Sequence, residues 1–188
     1  MKTRALSGRK VAVLAAPGVE QSELTAPREA LLREGAHVDI VSLKKDTVRA
    51  WNHDDWGMTF EVDRHIDQAD PAEYDALVLP GGVMNPDTLR MDHRAVDFAR
   101  SFMSASKPVA AICHGPWLLV EADAVKGRNL TSYPSLRTDL TNAQANWTDA
   151  QVVVDGNLIT SRRPDDLPAF CHALIDLVTR TSAHAAAE

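Results

Sequence analysis

A doubly wound, mostly parallel α/β sheet with helices on both faces is the architecture this sequence predicts, and three observations carry it. Short apolar runs recur at Lys10 to Ala16, Ala76 to Leu79 and Val109 to Ile112, with an alternating one at His37 to Leu43. Stretches with apolar residues at helical spacing separate them, at Gln21 to Glu34 and roughly Asp92 to Ser104. The runs end in turn-forming residues, Pro17-Gly18, Pro80-Gly81-Gly82 and Cys113-His114-Gly115-Pro116.

Taken in order, Lys10 to Ala16 reads as a strand covered on both faces, because the run is continuously apolar. Leu24, Leu31 and Leu32 give the next segment its helical period and Gly35 supplies a stop, while Pro27 is compatible only in or near the first turn. His37 to Leu43 is the second strand. Lys44 to Asp70 breaks period and reads as an excursion at the sheet edge, with a short strand at Thr59 to Val62. Strands at Ala76 to Leu79 and Val109 to Ile112 follow, and Trp117 to Glu121 is amphipathic. Gln151 to Val154 and Leu158 to Ser161 flank Asp155-Gly156-Asn157, a hairpin signal, before a closing helix over Asp165 to Arg180. The tail, residues 181–188, is expected to fray. With no internal repeat or linker, one domain is expected over residues 1–188, its core at about 8–180.

Composition narrows the function. The chain has 188 residues, 45% apolar and 24% charged, as in ordinary globular proteins. A formal net charge of -6 without a basic cluster argues against a nucleic-acid partner. No apolar run is long enough to span a bilayer, and the first ten residues lack a secretory core. With only two cysteines, Cys113 and Cys171, a cytoplasmic location is expected.

In sheets of this kind, sites form beyond the carboxyl ends of the strands, which singles out the loops at 17–21, 80–87 and 113–116. Cys113 falls where a buried strand turns into a helix. A thiol there faces the positive end of the helix, which favours the nucleophilic thiolate. Gly115 relieves crowding and Pro116 fits the first helical turn. The competing reading makes Cys113 a small buried residue ending a core strand. His114 is either a proton carrier or a helix cap. A backbone N–H of Gly81-Gly82, paired with that of His114, could approach a substrate oxyanion, although the two glycines also suit an ordinary turn. Glu20 would approach Cys113 if their strands are neighbours; otherwise it is a solvated loop acid. Cys171, among Phe170, Leu174, Ile175 and Leu177, reads as core. Trp51, His53, Asp54, Asp55 and Trp56 match no metal-ligand spacing and read as a loop anchored by tryptophans. No metal or cofactor is expected.

Ala111-Ile112-Cys113-His114-Gly115-Pro116, Leu79-Pro80-Gly81-Gly82, Thr131-Ser132-Tyr133-Pro134 and Val153-Val154-Asp155-Gly156-Asn157 together resemble the ThiJ/PfpI superfamily, and within it the PfpI-like intracellular protease and general stress protein branch. The resemblance implies a flavodoxin-like fold, similar to the class I glutamine amidotransferases. It implies Cys113 as nucleophile, His114 as its partner, Glu20 as the buried acid at the sulfur, and Gly82 and His114 as oxyanion donors. The third triad member would be an acid from a neighbouring subunit, at the position of Asp87, where the family's proteases carry glutamate. A homo-oligomer, dimer or hexamer, with the site near the subunit interface is also implied. The amidotransferase relatives use a distant C-terminal histidine; here only His172 and His184 follow His114, which disfavours glutaminase chemistry. The expected function is a cysteine-dependent stress-response hydrolase, peptidase-like or deglycase/glyoxalase-like, with a small-molecule or peptide substrate. The alternative is a non-enzymatic oxidative-stress sensor working through oxidation of the same cysteine.

Overall fold

Residues 4–185 are described by the structure, a computed structural model of the chain. The chain passes through β1 (Lys10–Leu14), α1 (Gln21–Arg33), β2 (His37–Ser42), β3 (Thr47–Asn52), β4 (Asp55–Glu61), β5 (Arg64–His65), β6 (Ala76–Leu79), α2 (Met84–Arg90) and α3 (His93–Ser104). There follow β7 (Val109–Ile112), α4 (Pro116–Glu121), β8 (Asn129–Leu130), α5 (Arg137–Asn142), β9 (Asn146–Trp147), β10 (Val152–Asp155), β11 (Leu158–Ser161) and α6 (Leu167–Ala185). Seven strands form one sheet in the order β10-β11-β7-β6-β1-β2-β5. Its pairings are parallel except that of β10 with β11.

Helices cover both faces, so β6 and β7 are buried along their whole length and their sequences need no polar alternation. Successive residues of each strand enter opposite layers. Ala12, Leu14, Leu77, Leu79 and Ala111 pack with Phe98 and Phe102 of α3. Val11, Val13, Val78, Ala110 and Ile112 pack with Leu24 and Leu31 of α1 and Phe170 and Leu174 of α6. Each fully buried Leu or Phe adds about 1.5–3 kcal/mol, so both layers drive the fold. Strands β1, β2 and β5 run to one edge, while β6, β7, β11 and β10 run to the other. The order therefore reverses between β1 and β6, which opens a crevice at their carboxyl ends.

Several expectations need correction. Pro27 lies in the second turn of α1, inside the helix and buried. The ring removes the N–H that would reach the Glu23 carbonyl, a cost of about 3 kcal/mol that burial of the α1 face offsets. Residues 44–70 hold a true hairpin: β3 and β4 pair antiparallel as a separate two-stranded sheet, and β5 extends the main sheet. The expected strand at Thr59 to Val62 overlaps the second half of β4. Val48 and Ala50 are buried between exposed Thr47 and Arg49, a two-residue period, but no glycine marks the turn. His53 takes the left-handed conformation there instead, with φ 60°. The tryptophans do anchor this segment, Trp51 and Trp56 meeting edge to face at 5.5 Å. The closing helix starts at Leu167, after a 3₁₀ turn over Pro164–Asp166, and runs on through Ala185, so most of the tail expected to fray is helical. Residues 186–188 of that tail lie outside the described residues. Among the described residues no helix is long and apolar enough to cross a membrane.

Candidate active site

The end of β7 carries Cys113 into a left-handed turn, φ 62°, a conformation costing a non-glycine residue about 1–2 kcal/mol. Neighbouring backbone holds it there. Its N–H donates to the Ser161 carbonyl at 3.0 Å, its carbonyl accepts from Tyr133 N–H at 2.9 Å, and Gly115 N–H closes the turn on the Ile112 carbonyl at 2.8 Å. Gly115 is required by close approach, because a Cβ there would lie 2.3 Å from the Leu79 carbonyl oxygen. Pro116 opens α4 at its first position, as anticipated.

Cys113 is 7% exposed. Its Sγ lies 3.2 Å from Nδ1 of His114, so the abrupt turn brings the two consecutive side chains together. His114 is itself 8% exposed. The imidazole stacks on Tyr133 with centroids 4.9 Å apart and meets Trp117 edge-on at 5.3 Å. Its Nε2 lies 3.2 Å from Ser135 Oγ. Burial lowers the His114 pKa, so the ring is neutral at neutral pH.

On the other side of the sulfur the acid is Glu23, not Glu20. Glu23 is fully buried, and its Oε2 accepts the Gly81 N–H at 2.8 Å. A Cβ on Gly81 would lie 2.6 Å from that oxygen and 2.7 Å from Cys113 Cβ, which shows how closely acid and cysteine flank the diglycine. Glu20 precedes the first turn of α1 and is half-buried; its Oε1 accepts from Ser22 Oγ at 3.4 Å, and its backbone bridges to Trp51. The sequence did carry a signal for Glu23: with Leu24, Pro27, Ala30 and Leu31 it falls on the buried stripe of α1.

Burial raises the Glu23 pKa to about 8 despite the Gly81 N–H, and the charge of Glu20 adds to the rise. Its Oε1 has no hydrogen-bond partner among the described residues, which leaves it free to carry a proton. Burial also pushes the Cys113 thiol well above its ordinary range, with the charge of Glu23 second. The N–H groups of Gly82 and His114 pull the other way, favouring the ionised sulfur. The six-residue α4 does not dominate as the sequence had implied; desolvation does. Glu23 and Cys113 thus cannot both be charged, and sulfur ionises most readily when the proton stays on the carboxyl.

A buried amide completes the frame. Asn85 Oδ1 accepts from Ala16 N–H at 2.7 Å, while its Nδ2 donates to the carbonyls of Pro80 at 2.8 Å and Gly81 at 3.1 Å. This stitches the loop after β1 to the diglycine loop. Asp87 is exposed on α2 and takes no part in the contacts of His114 within the chain. Cys171, half-buried in α6, packs against the second layer of the core, and burial raises its pKa to about 11.

A cysteine in a left-handed strand-to-helix elbow, beside its own following histidine and a buried carboxyl at the reversal of a parallel sheet, defines an α/β protein centred on one elbow thiol. The comparisons agree with that class and refine it. The chain belongs to the DJ-1/PfpI family, whose profile matches residues 9–177. It is 43% identical over 169 residues to Deglycase PH1704 of Pyrococcus horikoshii, covering 90% of this chain and 99% of that one. It is 44% identical over 163 residues to Protein/nucleic acid deglycase 2 of Escherichia coli, covering 86% and 93%. The crystal structure of Drosophila melanogaster DJ-1beta superposes with a TM-score of 0.82 at 29% identity, over 95% of this chain and 97% of that one.

Proposed function

We propose that the protein is a cysteine-dependent hydrolase of the deglycase type, with Cys113 attacking a small carbonyl group. The observation that carries this is the 3.2 Å approach of Cys113 Sγ to His114 Nδ1 at the elbow. Sulfur loses its proton to Nδ1 as it bonds to the carbonyl carbon, whose oxygen takes the electron pair and develops charge beside the N–H groups of Gly82 and His114. Glu23, kept protonated by burial, faces the reacting sulfur without adding a competing negative charge. A cysteine residue only 7% exposed supports small adducts over an extended peptide, which needs an open cleft on both sides of the scissile bond. Relatives named as deglycases support the same reading.

A second copy of the chain belongs to this proposal. Val83, Met84 and Met91 expose apolar surface on and beside α2, around Asp87. Such a rim suits self-association near the site, where Asp87 would meet a neighbouring chain. Sensing through oxidation of Cys113 draws less support, since it needs no proton carrier and leaves the His114 contact without a use.

One purified sample should be assayed on methylglyoxal, on the methylglyoxal adduct of an acetylated lysine, and on peptide amides, beside Cys113→Ser. Turnover of the adduct and its loss by about 100-fold or more in the variant is the expected result. Equal turnover by both proteins would remove Cys113 from the chemistry.

A further inference from the structure

We propose that Ser135 is a positioning residue that fixes His114 in the tautomer able to take the Cys113 proton. The inference rests on the reading of Cys113 and His114 as the reacting pair. It starts from the two ends of the ring: Nδ1 faces Sγ at 3.2 Å, and Nε2 faces Ser135 Oγ at 3.2 Å. A neutral imidazole carries one proton. If Nδ1 is to accept from the thiol, the N–H must reside on Nε2, and a ring 8% exposed requires an acceptor for it. Ser135 Oγ is that acceptor.

The position of Ser135 follows from the fold. The 3₁₀ turn over Pro134–Leu136 begins directly after Tyr133, whose N–H is bonded to the Cys113 carbonyl at 2.9 Å. Upstream, Thr131 N–H donates to Thr160 Oγ1 at 2.9 Å, fixing the segment to β11. The loop that supplies the hydroxyl is therefore tied to the elbow that supplies the thiol. Tyr133 and Trp117 restrict rotation of the ring, so packing sets its orientation, and a hydroxyl accepting from Nε2–H leaves Nδ1 open to the thiol.

A hydroxyl at this place does a different job from a carboxylate. The serine oxygen can accept from neutral imidazole and, more strongly, from imidazolium, but it lacks the full charge by which a carboxylate would favour the charged ring. When the thiol proton arrives at Nδ1, the Nε2–H···Oγ contact persists and nothing has to rearrange. Within one chain, Cys113, His114 and Ser135 thus stand in line through the two ring nitrogens.

Ser135→Ala and Ser135→Thr test this in the full chain. Nitrogen-15 chemical shifts of the His114 ring should show Nε2–H in the wild type and in Ser135→Thr, and a mixture of tautomers in Ser135→Ala. With the methylglyoxal adduct as substrate, kcat should fall about tenfold in Ser135→Ala at unchanged KM, the loss of one neutral hydrogen bond, and recover in Ser135→Thr. A wild-type ring protonated at Nδ1, or a Ser135→Ala ring unchanged in tautomer, overturns the proposal. The nitrogen measurement needs no turnover, so it judges Ser135 even if Cys113→Ser were to keep full activity and the hydrolase reading fell.

Discussion

Glu23 shows how one buried carboxyl links chemistry to stability. Its pKa in the folded chain is about 8, against 4.5 in an unfolded one. The folded state therefore holds a proton that the unfolded state has released, and stability is greatest below the lower value and falls as pH rises toward the upper. The slope in that window is about 1.4 kcal/mol per pH unit from this group alone. Urea midpoints of the wild type should decline from about pH 5 to pH 8, and Glu23→Gln should flatten the decline. Equal slopes in both proteins would show that Glu23 is ionised throughout. At this scale Cys113, His114 and Gly82 were legible in the sequence, because all three sit in or beside turns that end apolar strands. The acid was legible only through the helical period of α1, which turns Glu23 toward the sulfur, and proximity to the loop pointed to Glu20 instead. Ser135 and Asn85 gave no sequence signal at all, since a polar residue in a loop becomes informative only once its partners are known.

Elements differ in how strongly their sequences declare them. Strands β6 and β7 were plain because burial on both faces leaves continuous apolar runs, and α3 was plain because Asp92 caps it, accepting from Arg94 N–H at 3.0 Å. The hairpin β3–β4 was hidden by a turn without glycine, and α2 by its brevity and by Pro86 in its first turn. That short helix nevertheless holds Asn85, which joins the loops on both sides of the crevice. Asn85→Ala would leave one N–H and two carbonyls without their partner, so we expect a loss of about 3 kcal/mol. Urea unfolding checks this, and a change below about 0.5 kcal/mol would mean that water substitutes for the amide.

For the molecule as a whole, the reversal of strand order between β1 and β6 decides where the site lies, since the loops after the adjacent strands β1, β6 and β7 are delivered to one crevice. That topology was legible from the alternation of strands and helices. Assembly belongs to the same scale. If the rim around Asp87 pairs with a second copy, light scattering should give a mass of at least two chains, and Val83→Glu should reduce it. A wild-type protein already monomeric would contradict the interface. Should the Val83→Glu monomer retain activity, the relay through Ser135 is sufficient within one chain.

The loop after β1 is gripped from two directions. Ala15 N–H is bonded to the Val41 carbonyl of the main sheet, while Gly18 N–H donates to the hairpin's Arg49 carbonyl and the Val19 carbonyl accepts from the hairpin's Trp51 N–H. A segment laced into two sheets at once cannot swing aside like a lid. Whatever reaches the sulfur therefore meets a fixed wall on this side, and the crevice cannot widen there to admit a larger molecule.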